Sequence, residues 1–214
     1  PWLPYAGPFL CFALFTYAGG RWPEAAHLWY AAKTGVVALL LAWAAPRIPE
    51  LTWRAPVADW GLGVAVGLAV LAVWVLPERP LAPLMLGTPE GFDPYRFGLS
   101  PVATWGVIAV RIAGAALVVP VMEELFWRAF LMRYLVRPDF RELPLGHYHP
   151  FAFFAVAVAF GFEHHRWLVG IAAGLAYGGL VVWRKRLWPA ILAHGVTNLG
   201  LGLYVVATRQ WGFW

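Results

Sequence analysis

The chain has 214 residues, of which 61% are hydrophobic and 13% charged, with a formal net charge of +5; its mean hydropathy is +0.65. A soluble domain carries roughly 25% charged residues, so a soluble surface is excluded, as are disorder and, with Cys11 the single cysteine, a disulfide scaffold. The basic residues are scattered among apolar runs instead of lining one face, which argues against a nucleic-acid partner. The composition predicts an all-α polytopic membrane protein with membrane lipid as its solvent.

The first residue is Pro1 and not methionine, as expected of a processed or trimmed chain. A helix crossing the hydrocarbon needs about 20 mostly apolar residues. Such stretches fall at 4–20, 25–45, 56–76, 102–119, 120–136, 149–165, 166–183 and 188–207. They predict a bundle of about eight transmembrane helices in one domain over 1–214, with a motif-bearing core at about 101–207. Pro120 is expected to break or kink the long run around it, because proline lacks a backbone donor and clashes with the preceding turn. Between Leu76 and Pro101 the prolines and glycines predict a long irregular connection, a candidate border for a substrate entrance. With eight spans, Arg21, Arg79, Arg96, Arg133, Arg137, Arg141 and the cluster Arg184-Lys185-Arg186 share one side, the expected cytoplasmic one. Both chain ends then lie outside.

Ionisable groups inside apolar runs are costly and point to function. The first group is Val121-Met122-Glu123-Glu124-Leu125-Phe126-Trp127-Arg128. Glu124 and Arg128 are one helical turn apart and can pair; Glu123 lies about 100° round the helix with no such partner. A structural Glu–Arg bridge near the interface is the bland alternative, and a carboxylate base is the functional one. The second group, Phe160-Gly161-Phe162-Glu163-His164-His165-Arg166, reads either as an interfacial histidine pair or as part of an active centre. The third, Ala193-His194-Gly195-Val196-Thr197-Asn198, places His194 and Asn198 on one helix face, as helix–helix glue or as oxyanion donors.

The ordered triple Glu-Glu-x-x-x-Arg, Phe-x-x-x-His and His-x-x-x-Asn resembles the CAAX-protease and bacteriocin-processing family, the Abi-type intramembrane endopeptidases. The FGFEHHRW and LWPAILAHGVTNL stretches resemble its bacterial, CAAX prenyl protease-related branch. The resemblance implies that Glu123 activates water with help from His164. It implies too that Glu124 and Arg128 charge-balance the site, and that His194 and Asn198 stabilise a tetrahedral oxyanion. Phe160 takes the motif's aromatic position, and His165 is assigned no chemistry. Implied as well are a peptide or protein substrate, a link to an exosortase-type sorting system, and a multi-pass place in the bacterial inner membrane. Glu123, His164 and His194 suit zinc by residue type. His-Glu-x-x-His is absent from the sequence, so the expectation is no cofactor, with zinc as the alternative. Two other classes stay open: a non-proteolytic membrane scaffold or immunity protein, and a proton-coupled transporter, which predicts repeated halves that the sequence does not show. One difficulty is depth: His164 falls at one end of its span, whereas His194 lies about 10 Å from the basic cluster, which demands a tilted or broken helix.

Overall fold

The computed structural model describes residues 2–51, 56–76, 84–87 and 91–214. Seven helical rods lie among them: α1 (Leu3–Gly19), α2 (Ala26–Ala44), α3 (Val57–Val75), α4 (Pro101–Tyr134), α5 (Pro150–Phe162), α6 (Trp167–Arg184) and α7 (Trp188–Thr208). Proline stands in the first turn of α4, α5 and α7, where its missing N–H costs nothing and its fixed φ favours the helix. The Ser100 hydroxyl at the head of α4 accepts from the Ala103 N–H. Five stretches, Pro23–Arg47, Val57–Val75, Pro101–Tyr134, Trp167–Arg184 and Trp188–Thr208, are long and apolar enough to cross a membrane; α1 and α5 are shorter. The all-α polytopic architecture is as the composition predicts.

The two spans expected on either side of Pro120 form a single rod. Instead of breaking, α4 widens to π geometry at Gly114–Val118, passes Pro120 in an α-helical stretch (Val119–Glu124), and widens again at Leu125–Leu131. A π turn adds a residue per turn and lets a helix absorb a lost hydrogen bond without kinking apart. One rod where two spans were expected reverses the expected sides of Arg21, Arg47 and Arg96, the described arginines upstream of it. Side-chain links confirm the new arrangement. At one end, Arg133 pairs with Glu50, Tyr5 Oη donates to Glu50 at 2.7 Å, Lys185 Nζ reaches the Gly146 carbonyl at 2.6 Å, and Arg184 and Arg186 both hold Asp59. At the other end, Arg96 donates to the Pro23 carbonyl and the Leu86 N–H to the His165 carbonyl. Arg21 and Arg96 therefore lie opposite the Arg184–Arg186 cluster, not beside it, and the start of α1 lies at the basic end.

Two close approaches position the site. α3 crosses α7 with so little clearance that a Cβ on Gly67 would stand 2.5 Å from the Ala193 carbonyl oxygen. α5 and α6 form a hairpin in which a Cβ on Gly161 would stand 2.7 Å from the Trp167 carbonyl oxygen. Small residues let membrane helices pack backbone to backbone. The hairpin also resolves the depth difficulty. α5 has 13 residues, about 20 Å at 1.5 Å per residue, so its far end does not reach the opposite face of a roughly 30 Å hydrocarbon layer.

Candidate active site

Glu123 and Glu124 lie in the α-helical stretch between the two π segments of α4. Glu124 and Arg128 are both 0% exposed, and Arg128 Nε stands 3.2 Å from Glu124 Oε2. The guanidinium lies over the Phe160 ring, 4.4 Å from its centroid, and donates to the Gly174 carbonyl of α6 at 3.3 Å. A buried ion pair is tolerable only when further partners fill its remaining donors and acceptors, and Phe160 and Gly174 help do so for Arg128. The other Glu124 oxygen, Oε1, accepts from His194 Nδ1 at 3.0 Å. Glu124 thus ties α4 to α7 and fixes the His194 ring, which also stacks on Tyr177 at 4.9 Å and 17°. Tyr177 is held in turn: its hydroxyl donates to Thr197 Oγ1 at 2.8 Å.

With Nδ1 taken by Glu124, His194 Nε2 stands 3.9 Å from Glu123 Oε2, too far for a direct hydrogen bond. That Glu123 oxygen is buried and has no hydrogen-bond partner among the described residues. His164 occupies the turn after α5, with its Nδ1 2.9 Å from the Phe160 carbonyl. A carbonyl only accepts, so Nδ1 carries the proton and Nε2 keeps the lone pair in the neutral ring. Asn198, one turn beyond His194 on α7, donates from Nδ2 to the Ala115 carbonyl at 2.9 Å. Its second amide N–H remains.

Glu123, His164, His194 and Asn198 come from α4, the α5–α6 turn and α7, and all four line one cavity of about 260 Å³. Glu124 and Arg128 stand behind it. Trp74, His164, Phe213 and Trp214 also line a second cavity of about 400 Å³, with Arg96, His165 and Arg166 at the end opposite the basic cluster. The Leu76–Pro101 connection contributes Gly91, Phe92 and Arg96 to that second cavity, and Leu84 accepts from Trp167 Nε1 at 2.7 Å. Residues 77–83 and 88–90 of the expected entrance border lie outside the described residues.

Several side chains that complete the site were not singled out in the sequence. Glu163 accepts from Trp127 Nε1 at 3.1 Å, Tyr177 supports His194, and Lys33 and Arg111 line the far wall of the same cavity. Lys33 and Arg111 carried a usable signal, since each is a cation inside an apolar span. Tyr177 carried none. Among the described residues no three His, Cys, Asp or Glu side chains form a group that could hold a metal ion.

Residues 104–200 match the family model described as type II CAAX prenyl endopeptidase Rce1-like. That segment, which carries all three motifs, is therefore similar to the CAAX-protease family, whose members are endopeptidases acting on protein or peptide substrates in the membrane. No curated protein and no solved structure matches the chain.

Proposed function

We propose that this chain is an intramembrane endopeptidase in which Glu123 activates water without a metal. The observation that carries the reading is the convergence of Glu123, His164, His194 and Asn198 on one cavity from three separate places in the fold. The 3.9 Å between Glu123 Oε2 and His194 Nε2 suits a single water held by both, since two contacts of about 2.8 Å would meet there at roughly a right angle. Glu123 takes one proton from that water, and its other hydrogen is held by one histidine Nε2 lone pair, that of His194 or of His164. The water oxygen bonds to the scissile carbonyl carbon, and the carbonyl becomes an oxyanion. An oxyanion needs donors: the second Asn198 N–H supplies one, and His194 Nε2 supplies another only in the doubly protonated ring, because Nδ1 carries the neutral ring's proton toward Glu124. As the C–N bond breaks, Glu123 returns its proton to the leaving nitrogen. Glu124 and Arg128 touch neither water nor substrate; they hold His194 and keep the site charge-balanced.

The likeness of the FGFEHHRW and LWPAILAHGVTNL stretches to the bacterial branch supports a bacterial inner-membrane location and a substrate handled by an exosortase-type sorting system. Incubating the purified chain in lipid vesicles with a defined peptide mixture, and mapping new termini by mass spectrometry, tests the reading. Wild type produces new termini and Glu123→Gln does not. A folded wild-type protein that cuts nothing would favour the scaffold or immunity reading.

A further inference from the structure

The cavity that holds Glu123 has a second charged wall, which the hydrolytic chemistry does not use. Lys33 on α2 and Arg111 on α4 both line it, and both sit against the Tyr30 ring, at 5.1 Å and 4.7 Å from its centroid. Neither forms an ion pair with a carboxylate among the described residues. Lys33 Nζ contacts the Thr16 hydroxyl at 2.9 Å and the face of Phe12 at 4.0 Å. Arg111 lies over Phe92 at 4.1 Å and over Trp214 at 5.4 Å. The rings of Tyr30, Phe92 and Trp214 thus surround the guanidinium, and they offer its N–H groups no hydrogen-bond acceptor oxygen. Those N–H groups bond no described residue and are not among the buried unpartnered atoms, and Arg111 lines the cavity.

Two like charges inside apolar spans repel each other and are expensive to keep there. A structural role is met by pairing, as Glu124 shows for Arg128. An unpaired pair of cations is instead the complement of an anion that arrives from outside. The same two residues, with Tyr30, also line an adjoining cavity of about 210 Å³ that includes Arg96 and no acidic side chain. Three cations thus line two adjoining cavities, and none of them is ion-paired with a carboxylate among the described residues. A guanidinium edge beside an ammonium recognises a carboxylate through charge-assisted hydrogen bonds.

We propose that Lys33 and Arg111 form a carboxylate-binding subsite that positions the peptide substrate across Glu123. The carboxylate is either the substrate's chain terminus or an aspartate or glutamate side chain near the cleaved bond. The proposal rests on the endopeptidase reading for its substrate, but not for its binding chemistry, so the two can fail separately. In this arrangement Lys33 and Arg111 set specificity and take no part in bond breaking.

The test uses the full chain in detergent and three probes: N-acetyl-Phe-Leu-Phe with a free carboxylate, its C-terminal amide, and N-acetyl-Phe-Asp-Phe amide. Binding is followed by calorimetry on wild type, Lys33→Met, Arg111→Gln and the conservative Arg111→Lys, each checked for an unchanged melting profile. The free acid binds at least about tenfold more tightly than the amide to wild type. That preference is lost in Lys33→Met and Arg111→Gln and partly kept in Arg111→Lys. If the aspartyl amide binds as tightly as the acid, the subsite takes a side chain; if it binds like the plain amide, it takes the terminus. Equal affinity for all three probes, or a preference that survives both neutral variants, overturns the proposal. A carboxylate preference in a protein that cleaves no peptide would leave the subsite standing and remove the protease reading instead.

Discussion

Asn198 Nδ2 donates to the Ala115 carbonyl at 2.9 Å, and that carbonyl is the one Pro120 leaves without a helical partner. In a π-helical register the carbonyl of residue 115 bonds the N–H of residue 120, which proline does not have. Asn198 supplies the missing donor from another helix and so holds α4 and α7 in register beside Glu123. Asn198→Ala should therefore lower stability by about 1 kcal/mol, the low end of the cost of an unsatisfied acceptor, since this one is part-buried. Pro120→Ala restores an N–H at residue 120, so the double variant should recover most of the loss in a thermal melt. Strict additivity of the two substitutions would show that the link does not exist.

Glu124 and Arg128 form a fully buried pair. Arg128→Ala strands a carboxylate there and should cost about 3–5 kcal/mol, seen as poor expression or a much lower melting temperature. Glu124→Met with Arg128→Met removes both charges and should regain most of the stability while staying inactive, because His194 loses the acceptor that anchors its Nδ1. An Arg128→Ala protein as stable as wild type contradicts the pairing.

Gly67→Ala should destabilise by about 1–3 kcal/mol, since its Cβ would stand 2.5 Å from the Ala193 carbonyl oxygen. Gly61→Ala on the same helix meets nothing within 4 Å and serves as the control. Equal melting temperatures for the two variants would mean that α3 and α7 are not in contact there.

Much of this was legible in the sequence because the hydrocarbon imposes strict terms on composition. Polar and ionisable residues in apolar runs marked Glu123, Glu124, Arg128, His164, His194 and Asn198, and the structure gathers all six around one cavity and the ion pair behind it. The helix count was misread at Pro120. Proline signals a lost hydrogen bond, but not that a side chain 78 positions later supplies a donor, as Asn198 does for the carbonyl of Ala115. The same tertiary information was needed for Tyr177, whose ring reads as ordinary apolar core until it is found stacked on His194. Lys33 and Arg111 stood in plain view as cations in apolar spans, but no local motif connected them to Glu123.

EDTA and 1,10-phenanthroline should leave peptide cleavage intact, since Glu123 and not a metal activates the water in this account. Loss of turnover on chelation, restored by zinc and by no other divalent ion, would replace the glutamate mechanism with a metal-dependent one.

The most direct test of the central claim is the turnover number of Glu123→Gln on a peptide that wild type cleaves, measured beside its melting temperature. Gln keeps the shape of the side chain and removes the base. The account predicts kcat lower by about 10²–10⁴-fold with an unchanged melt, whereas near-normal turnover by a folded Glu123→Gln protein would contradict it.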